Sequence, residues 1–349
     1  MNKKMKDQHA ALAERFPQNH IITDGHGNLS VTVFIPRFTY ADVIDGAPAV
    51  PHPAFVVNGT PLAGIFISKY QNVLEKGVAC SLPDRDPAVC IDFDTARAAC
   101  RQKGAGWHLM TAMEWGAIAL WCRKNGHLPF GNNDLGKDVR ESAVSATVSH
   151  VNVEKGICRV ATGSGPLTWS HNGRADGIWD LNGNVWEWCD GLRLMHGEVQ
   201  LCTPCATGEP DWQAIDARTG ALVPQDGKGT TAHSVKLDFR NDAFVFASGE
   251  VKDAYPHARH CDFAAVSADS SLSPAAVLLL EALALLPTGD KALYEGVELY
   301  ANNGSAERMV FRGGRWGQGL NAGLFKTCMD DPRTYAGDAV GFRAACYKF

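Results

Sequence analysis

The tightest constraint in this sequence lies near its C-terminal end. Two glycine- and aromatic-rich frames stand there, Phe311-Arg-Gly-Gly-Arg-Trp-Gly-Gln-Gly and Gly341-Phe-Arg-Ala-Ala-Cys-Tyr-Lys-Phe349. Frames of this kind occur where strands pack closely and rings anchor a loop-rich fold. Between them Leu320, Lys326, Cys328, Asp330, Asp331, Arg333, Tyr335 and Asp338 follow no helical period, no clean alternation and no repeated turn signature. A rigid frame around a middle that the fold does not dictate marks a binding surface.

The rest of the chain can support such a frame. It has 349 residues, 45% of them hydrophobic, which is ample for one core with a large insertion or for two domains. Its 35 glycines and nine tryptophans point to loops pinned by aromatic anchors. A net charge of −5 and a pI near 6.2 give no basic stripe, so neither nucleic acid nor an anionic membrane is an expected partner. The first residues, Met1-Asn-Lys-Lys-Met-Lys-Asp-Gln-His, lack an apolar h-region, and no signal peptide is expected. The longest aliphatic run, 275–286, is too short to span a bilayer and contains Glu281. Eleven cysteines in mostly apolar or helical contexts read as reduced, buried thiols. Cys202-Thr-Pro-Cys205 is half of a zinc pattern, with His257, His260 and Cys261 as candidate partners, but without a second pair it is weak. We expect no cofactor and no metal.

Along the chain, residues 1–48 read as a small appendage. It has a short helix over 10–16, a turn at Gly25-His-Gly-Asn and a strand at Ser30-Val-Thr-Val-Phe-Ile-Pro. Such a unit buries little core alone, so it should dock on the main body or on a neighbouring subunit. The Pro-rich stretch 46–53 reads as a linker. Phe55-Val-Val-Asn and Gly64-Ile-Phe-Ile-Ser-Lys-Tyr are strand-like, and a helix runs from Asp92 as N-cap to just before Gly104. Thr111-Ala-Met-Glu114 is a capping box opening a second helix that ends near Gly126. In Gly177-Ile-Trp-Asp-Leu-Asn-Gly-Asn-Val-Trp-Glu-Trp188 the spacing of Asp180, Asn182 and Asn184 is that of a calcium loop, but the glycine and the bidentate glutamate are misplaced. A tight turn at Asn182-Gly183 with Trp179, Trp186 and Trp188 in the core fits better. Segment 189–308 is low in pattern, with short strands at Ser234-Val-Lys-Leu-Asp-Phe and Phe244-Val-Phe. Its one good helix opens at Ser273-Pro274, ends near Leu286, and is apolar enough for burial or a subunit contact. Glu209-Pro-Asp211 matches a sugar-selecting triplet, but its downstream Trp-Asn-Asp partner is missing.

Five motifs occur together and in order: Gly64-Ile-Phe-Ile-Ser-Lys-Tyr, Trp107-His-Leu-Met-Thr-Ala-Met-Glu-Trp, Gly183-Asn-Val-Trp-Glu-Trp, Arg312-Gly-Gly-Arg-Trp and Gly341-Phe-Arg. Together they resemble the formylglycine-generating-enzyme branch of the C-type lectin fold, over roughly residues 53–349. Within that branch the sequence is most similar to the variable proteins of diversity-generating retroelements, which include phage tropism determinants. The resemblance implies an α+β, loop-rich C-type lectin fold. It comprises an appendage at 1–48 and a lectin-like domain at 49–349, with an insertion at 189–308 and a variable region at 312–343. Trp186, Trp188, Arg312, Trp316, Phe342 and Arg343 would form the frame, the arginines pairing with buried carboxylates or carbonyls. Asn321 to Phe325, Pro332 and Arg333 would be fixed landmarks.

In such proteins a reverse transcriptase misreads template adenines and rewrites codons between the two frames. The positions then expected to vary and bind ligand are Arg315, Gly317, Gln318, Leu320, Cys328, Asp330, Asp331, Tyr335, Gly337 and Asp338. Lys326, Thr327 and Ala339 belong less clearly to the set. An AAC codon misread at adenine becomes NNC, which reaches nine of those ten residues and cannot encode Gln318. The implied function is a ligand-displaying protein on a phage tail or a cell surface, binding a protein or surface receptor, with assembly into an oligomer or virion left open. The competing implication is a copper- or iron-dependent oxidase. That chemistry needs a pair of deprotonated cysteines just after Arg-Gly-Gly. Gln318 and Gly323 stand near those positions, and Cys328 is the one cysteine nearby. We therefore expect no enzyme.

Overall fold

The computed structural model describes residues 3–202 and 210–347; Cys205 of the Cys-x-x-Cys pair and Glu209 of the Glu-Pro-Asp triplet lie outside them. Two sheets carry the architecture. The first has five strands in the spatial order His20–Thr23, Leu29–Pro36, Gly64–Ser68, Ala344–Cys346, Trp107–Leu109, with antiparallel neighbours throughout. Gly64–Ser68 is buried along its whole length, as its uninterrupted apolar run requires of a strand covered on both faces. The C-terminal strand slots between Gly64–Ser68 and Trp107–Leu109, which carries the Gly341-Phe-Arg frame into the centre of the molecule.

Because Leu29–Pro36 pairs with Gly64–Ser68, the N-terminal segment docks on the main body of its own chain. Its helix spans Lys3–Arg15 and starts well before residue 10, because the polar residues of its first turns give no apolar period to read. Stretch 46–53 is not a free linker. Tyr40 N donates to Val50 O at 3.0 Å, His52 N donates to Phe38 O at 3.0 Å, and the His52 ring is buried beside Phe38 and Phe55. Its prolines stiffen a packed loop. Phe55 ends a short 3-10 turn, Pro53–Phe55, and the strand that follows is only Val56–Val57.

The second sheet has twelve strands among the described residues and is built on the ten-residue strand Trp186–Met195. That strand pairs antiparallel with Arg308–Gly313 and Glu198–Leu201 and parallel with Val340–Phe342. It runs on to Met195, past the boundary placed at 189, and the next segment continues the sheet through Val235–Arg240 and Ala243–Ser248. Gly323–Met329 lies against Arg308–Gly313, with Glu298–Ala301 beyond it.

Local signals in the sequence account for the helices. Asp92 Oδ1 accepts from Thr95 N at 2.8 Å and opens helix Phe93–Arg101. At Ala112–Lys124 the capping box closes both ways, Glu114 N to Thr111 Oγ1 at 3.0 Å and Thr111 N to Glu114 Oε2 at 2.8 Å. Ser273 caps Pro274–Ala282, which packs inside its own chain against Ala112–Lys124. A Cβ on Gly116 would stand 2.3 Å from Ala282 O, so the two helices approach this closely only because Gly116 has no side chain. Ala276, Leu280 and Ala282 are buried within the chain, Val277, Leu278 and Leu279 are half-buried, and Pro274 and Ala275 are exposed, so the cover of this helix within its own chain is partial.

Trp186 and Trp188 pack on Phe311, at centroid distances of 5.0 and 4.9 Å, whereas Trp179 joins a separate cluster with Tyr70 and Trp169. The turn between them is built as a left-handed corner, with φ of +73° at Gly183 and +61° at Asn184. Asn184 is held by its neighbours: Oδ1 accepts from Asn132 Nδ2 and Val160 N, each at 3.0 Å, and Nδ2 donates to Gln71 Oε1 at 2.9 Å.

Candidate functional site

The two frames are fixed by two buried arginines that use different partners. Arg343 forms a fork with Glu187, Nε to Oε2 and Nη2 to Oε1, both 2.8 Å, and also donates to Ser68 O and Trp179 O. Arg312 has no carboxylate partner among the described residues. It donates to Leu283 O at 2.7 Å, Ala284 O at 3.2 Å and Thr327 Oγ1 at 2.8 Å. The two carbonyls lie at the C-terminal end of helix Pro274–Ala282, where unpaired acceptors and the helix dipole favour a cation. Burial still presses the Arg312 pKa down to about 10. Thr327 is therefore part of the frame, and so is Lys326, whose buried ammonium sits 3.9 Å over the Tyr300 ring.

After Arg312 the chain leaves its strand through Gly313 and Gly314, with φ of +91° and +82°, and a Cβ on Gly314 would meet Ala322 Cβ at 2.7 Å. From there the backbone between the frames is held by hydrogen bonds to groups outside it. Leu135 N binds Trp316 O at 2.7 Å and Gly319 N binds Asn133 O at 2.8 Å. Met309 N binds Asp331 O at 2.9 Å, Phe93 N binds Arg333 O at 3.0 Å and Cys90 N binds Gly337 O at 3.0 Å. Trp186 N binds Ala339 O at 2.8 Å, and Arg159 Nη1 binds Asp338 O at 3.3 Å. Arg333 clamps the loop through its side chain, to Glu307 at 2.5 and 2.7 Å and to Asp94 at 3.1 Å. Because two carboxylates share it at a partly buried site, Arg333→Ala should lower stability by roughly 1–3 kcal/mol. It should also raise hydrogen exchange across residues 330–339, and unchanged exchange there would count against the clamp.

This held backbone forms one wall of an open cleft of about 550 Å³. Of the expected binding residues, Arg315, Gly317, Gln318, Cys328, Asp331, Tyr335 and Asp338 line it, together with the frame residues Trp186 and Trp316. Leu320 and Tyr335 are the exposed large apolar side chains between the frames, at 51% and 41%. The Tyr335 ring stacks on Phe311 at 6.3 Å, and Arg315 lies 5.7 Å over the Trp316 ring.

Several expected positions have a different setting. Cys328 contributes only to the floor: it is 8% exposed, and burial pushes its thiol well above the usual range. It belongs to a buried cluster with Phe311 and Trp316, which makes it core. Gln318 faces the turn, with Oε1 accepting from Arg315 N at 2.9 Å, so its side chain positions Arg315. Leu320, Asp330 and Gly337 lie outside the cleft, and Gly337 serves through its carbonyl. Leu135, Lys155 and Tyr300, which complete the lining from distant segments, carry no local signal that could have singled them out. Lys155 sits in a hairpin turn and reaches Asp338 at 3.3 Å.

The cleft's electrostatics centre on Asp331. Burial, then the charge of Asp330, raises its pKa to about 6, while Arg308 opposes. A carboxyl whose folded pKa is raised is penalised wherever it is ionised, above about pH 6, and the penalty fades as pH falls towards the unfolded value near 4. Asp331→Asn should therefore raise the melting temperature at pH 7.5 by about a degree or more and give no gain at pH 4. Equal gains at both values would show that the carboxylate charge is not the cause.

The described residues hold no group of three or more His, Cys, Asp or Glu side chains arranged for a metal. The thiolate-held copper of the formylglycine-generating enzymes does not fit the residues here, since Cys328 is the one cysteine of the cleft and its thiol is held protonated.

The family model described as "Sulfatase-modifying factor enzyme 1-like domain" matches residues 53–235. No curated protein matches the chain. Among solved structures, PvdO from Pseudomonas aeruginosa aligns with a TM-score of 0.39 at 15% identity, over 94% of this chain and 97% of that one. Treponema denticola variable protein 1 aligns with a TM-score of 0.35 at 13% identity, over 94% and 98%. The P3c variant of Major Tropism Determinant aligns with a TM-score of 0.30 at 9% identity, over 94% and 71%.

Proposed function

The chain belongs to the sulfatase-modifying factor enzyme 1-like domain family, and from that premise we propose that it is a non-catalytic member that displays a binding surface. The surface is the cleft and rim between the two frames, with Arg315, Asp331, Tyr335 and Asp338 as the main contacts and Leu320 as an outlying one. One observation carries the reading. The backbone of this stretch is held by hydrogen bonds from Phe93, Cys90, Leu135, Met309, Arg159 and Trp186, all outside the exposed set. Side chains there can change without releasing the chain that bears them. An enzyme needs the reverse, since its reacting groups must be fixed in one geometry.

The finer reading is that a retroelement rewrites these codons and that the protein is displayed on a phage tail or a cell surface, where it meets a protein receptor. Gln318 is consistent with this: the one residue that adenine misreading of AAC cannot produce is also the one whose side chain holds the turn. Sequencing the DNA around the gene tests it directly. A near-copy of codons 312–343 differing at adenines, beside a reverse transcriptase gene, is the expected result, and the absence of both would remove the retroelement. The oxidase alternative has its own test. Stoichiometric copper binding, with oxidation of a cysteine-containing peptide by the purified protein, would restore it.

A further inference from the structure

A second cavity, of about 460 Å³, opens between the N-terminal hairpin and helix Ala112–Lys124, and it includes none of the residues between the frames. We propose that it is a binding site for a small molecule with a flat apolar body and one hydrogen-bond-accepting head, of the kind an aromatic carboxylate or sulfonate presents. Its volume lies in the range of small-molecule sites, which are apolar cavities with few convergent polar groups. Phe34 and Phe38 from the hairpin side and Ile118 and Trp121 from the helix form its walls. Phe34 is 37% exposed although it lies within a paired strand, so an aromatic face is left open to the cavity.

The head group is set by His171. This ring is only 5% exposed and lines the cavity beside Trp121, at a centroid distance of 5.4 Å. Its Nδ1 accepts from Ile178 N at 2.8 Å, which places the proton of the neutral imidazole on Nε2. Nε2 has no hydrogen-bond partner among the described residues and is not one of the polar atoms closed off from solvent, so this donor opens on the cavity. Burial holds the ring pKa down to about 3, so His171 stays a neutral donor at physiological pH. An acceptor on a ligand can take the place of water at this donor.

Arg37 adds a cation at the rim. Its Nη1 donates to Leu62 O at 3.1 Å, and no carboxylate pairs with it among the described residues. The lining carboxylate, Asp176, is already engaged by Asn172 at 3.0 Å and Arg174 at 3.4 Å, which leaves Arg37 free to favour an anionic head. The hairpin side of the site precedes residue 53, where the family match begins, so the cavity is a feature of this chain's own N-terminal segment.

Anilinonaphthalene sulfonate has the required shape and reports its own binding by fluorescence. Titrated into the intact protein, it should bind saturably with one equivalent and quench tryptophan emission. Phe34→Ala should weaken it about tenfold and Arg37→Gln several-fold. Both residues are exposed, so neither variant should lose the fold. Tyr335→Ala, in the cleft, should leave the affinity unchanged. Non-saturating binding, wild-type affinity in both hairpin variants, or loss of binding in Tyr335→Ala would each overturn the proposal.

Discussion

Arg343→Met should cost about 3–5 kcal/mol, enough to leave much of the protein unfolded at 37 °C. Arg343 and Glu187 are both fully buried, and their fork of two 2.8 Å bonds joins the two sheets. Glu187 lies on Trp186–Met195 of the large sheet, and Arg343 directly precedes Ala344–Cys346 of the small one. Removing the guanidinium leaves a carboxylate in the interior, with Gln71 Nε2 at 3.1 Å as its remaining side-chain donor, and also strips Ser68 O and Trp179 O of a partner. Most of the loss is the penalty of an unpaired buried charge, which a double-mutant cycle can separate. Arg343→Met combined with Glu187→Leu should be less destabilised than Arg343→Met alone. Urea denaturation of the two singles and the double checks this. Additive losses would show that the pair is not coupled and that the arginine acts by packing.

How much of this was legible beforehand follows the range of the interactions. Asp92, Thr111 and Ser273 announced their helices because a cap is satisfied within a few residues of itself. The two frames were legible because glycines and large rings leave a mark at each position. Which partner each frame arginine takes was not, since Glu187 and Leu283 lie far away in sequence and several buried acceptors would have served. Nor was the early start of the N-terminal helix at Lys3, although its second half was read from the sequence. Within the site the pattern also divides by range. The absence of any period marked a stretch that holds the exposed Leu320 and Tyr335 but also the buried Lys326 and Cys328. That Cys328 is buried could not be read, because its setting depends on the register of Gly323–Met329 against Arg308–Gly313, with a shift between Arg312 and Gly313.

Randomising Arg315, Leu320, Asp331, Tyr335 and Asp338 together should leave most library members folded while changing what they bind by more than about a hundredfold in affinity. The stability half of this expectation follows from how each side chain is held. Asp338 loses an exposed pair with Lys155, worth about 0–1 kcal/mol. Leu320 is half exposed, Arg315 keeps its backbone bond to Gln318 whatever its side chain, and Asp331 is itself a burden at neutral pH. Tyr335, stacked on Phe311, should cost the most of the five, yet it too is open to solvent. The sum stays near 2 kcal/mol because surface changes seldom exceed about 0.5 kcal/mol each. The binding half rests on the same side chains, since an exposed tyrosine and a half-buried arginine over a fixed aromatic floor are of the residue types that dominate interface energies. Gln318 and Cys328 must be kept out of the library, one because it ties the turn and the other because it is core. Selection against an arbitrary folded protein should then yield binders whose affinity disappears when residue 335 is reverted. A library that is mostly unfolded, or binders indifferent to all five positions, would place the binding surface elsewhere on the molecule.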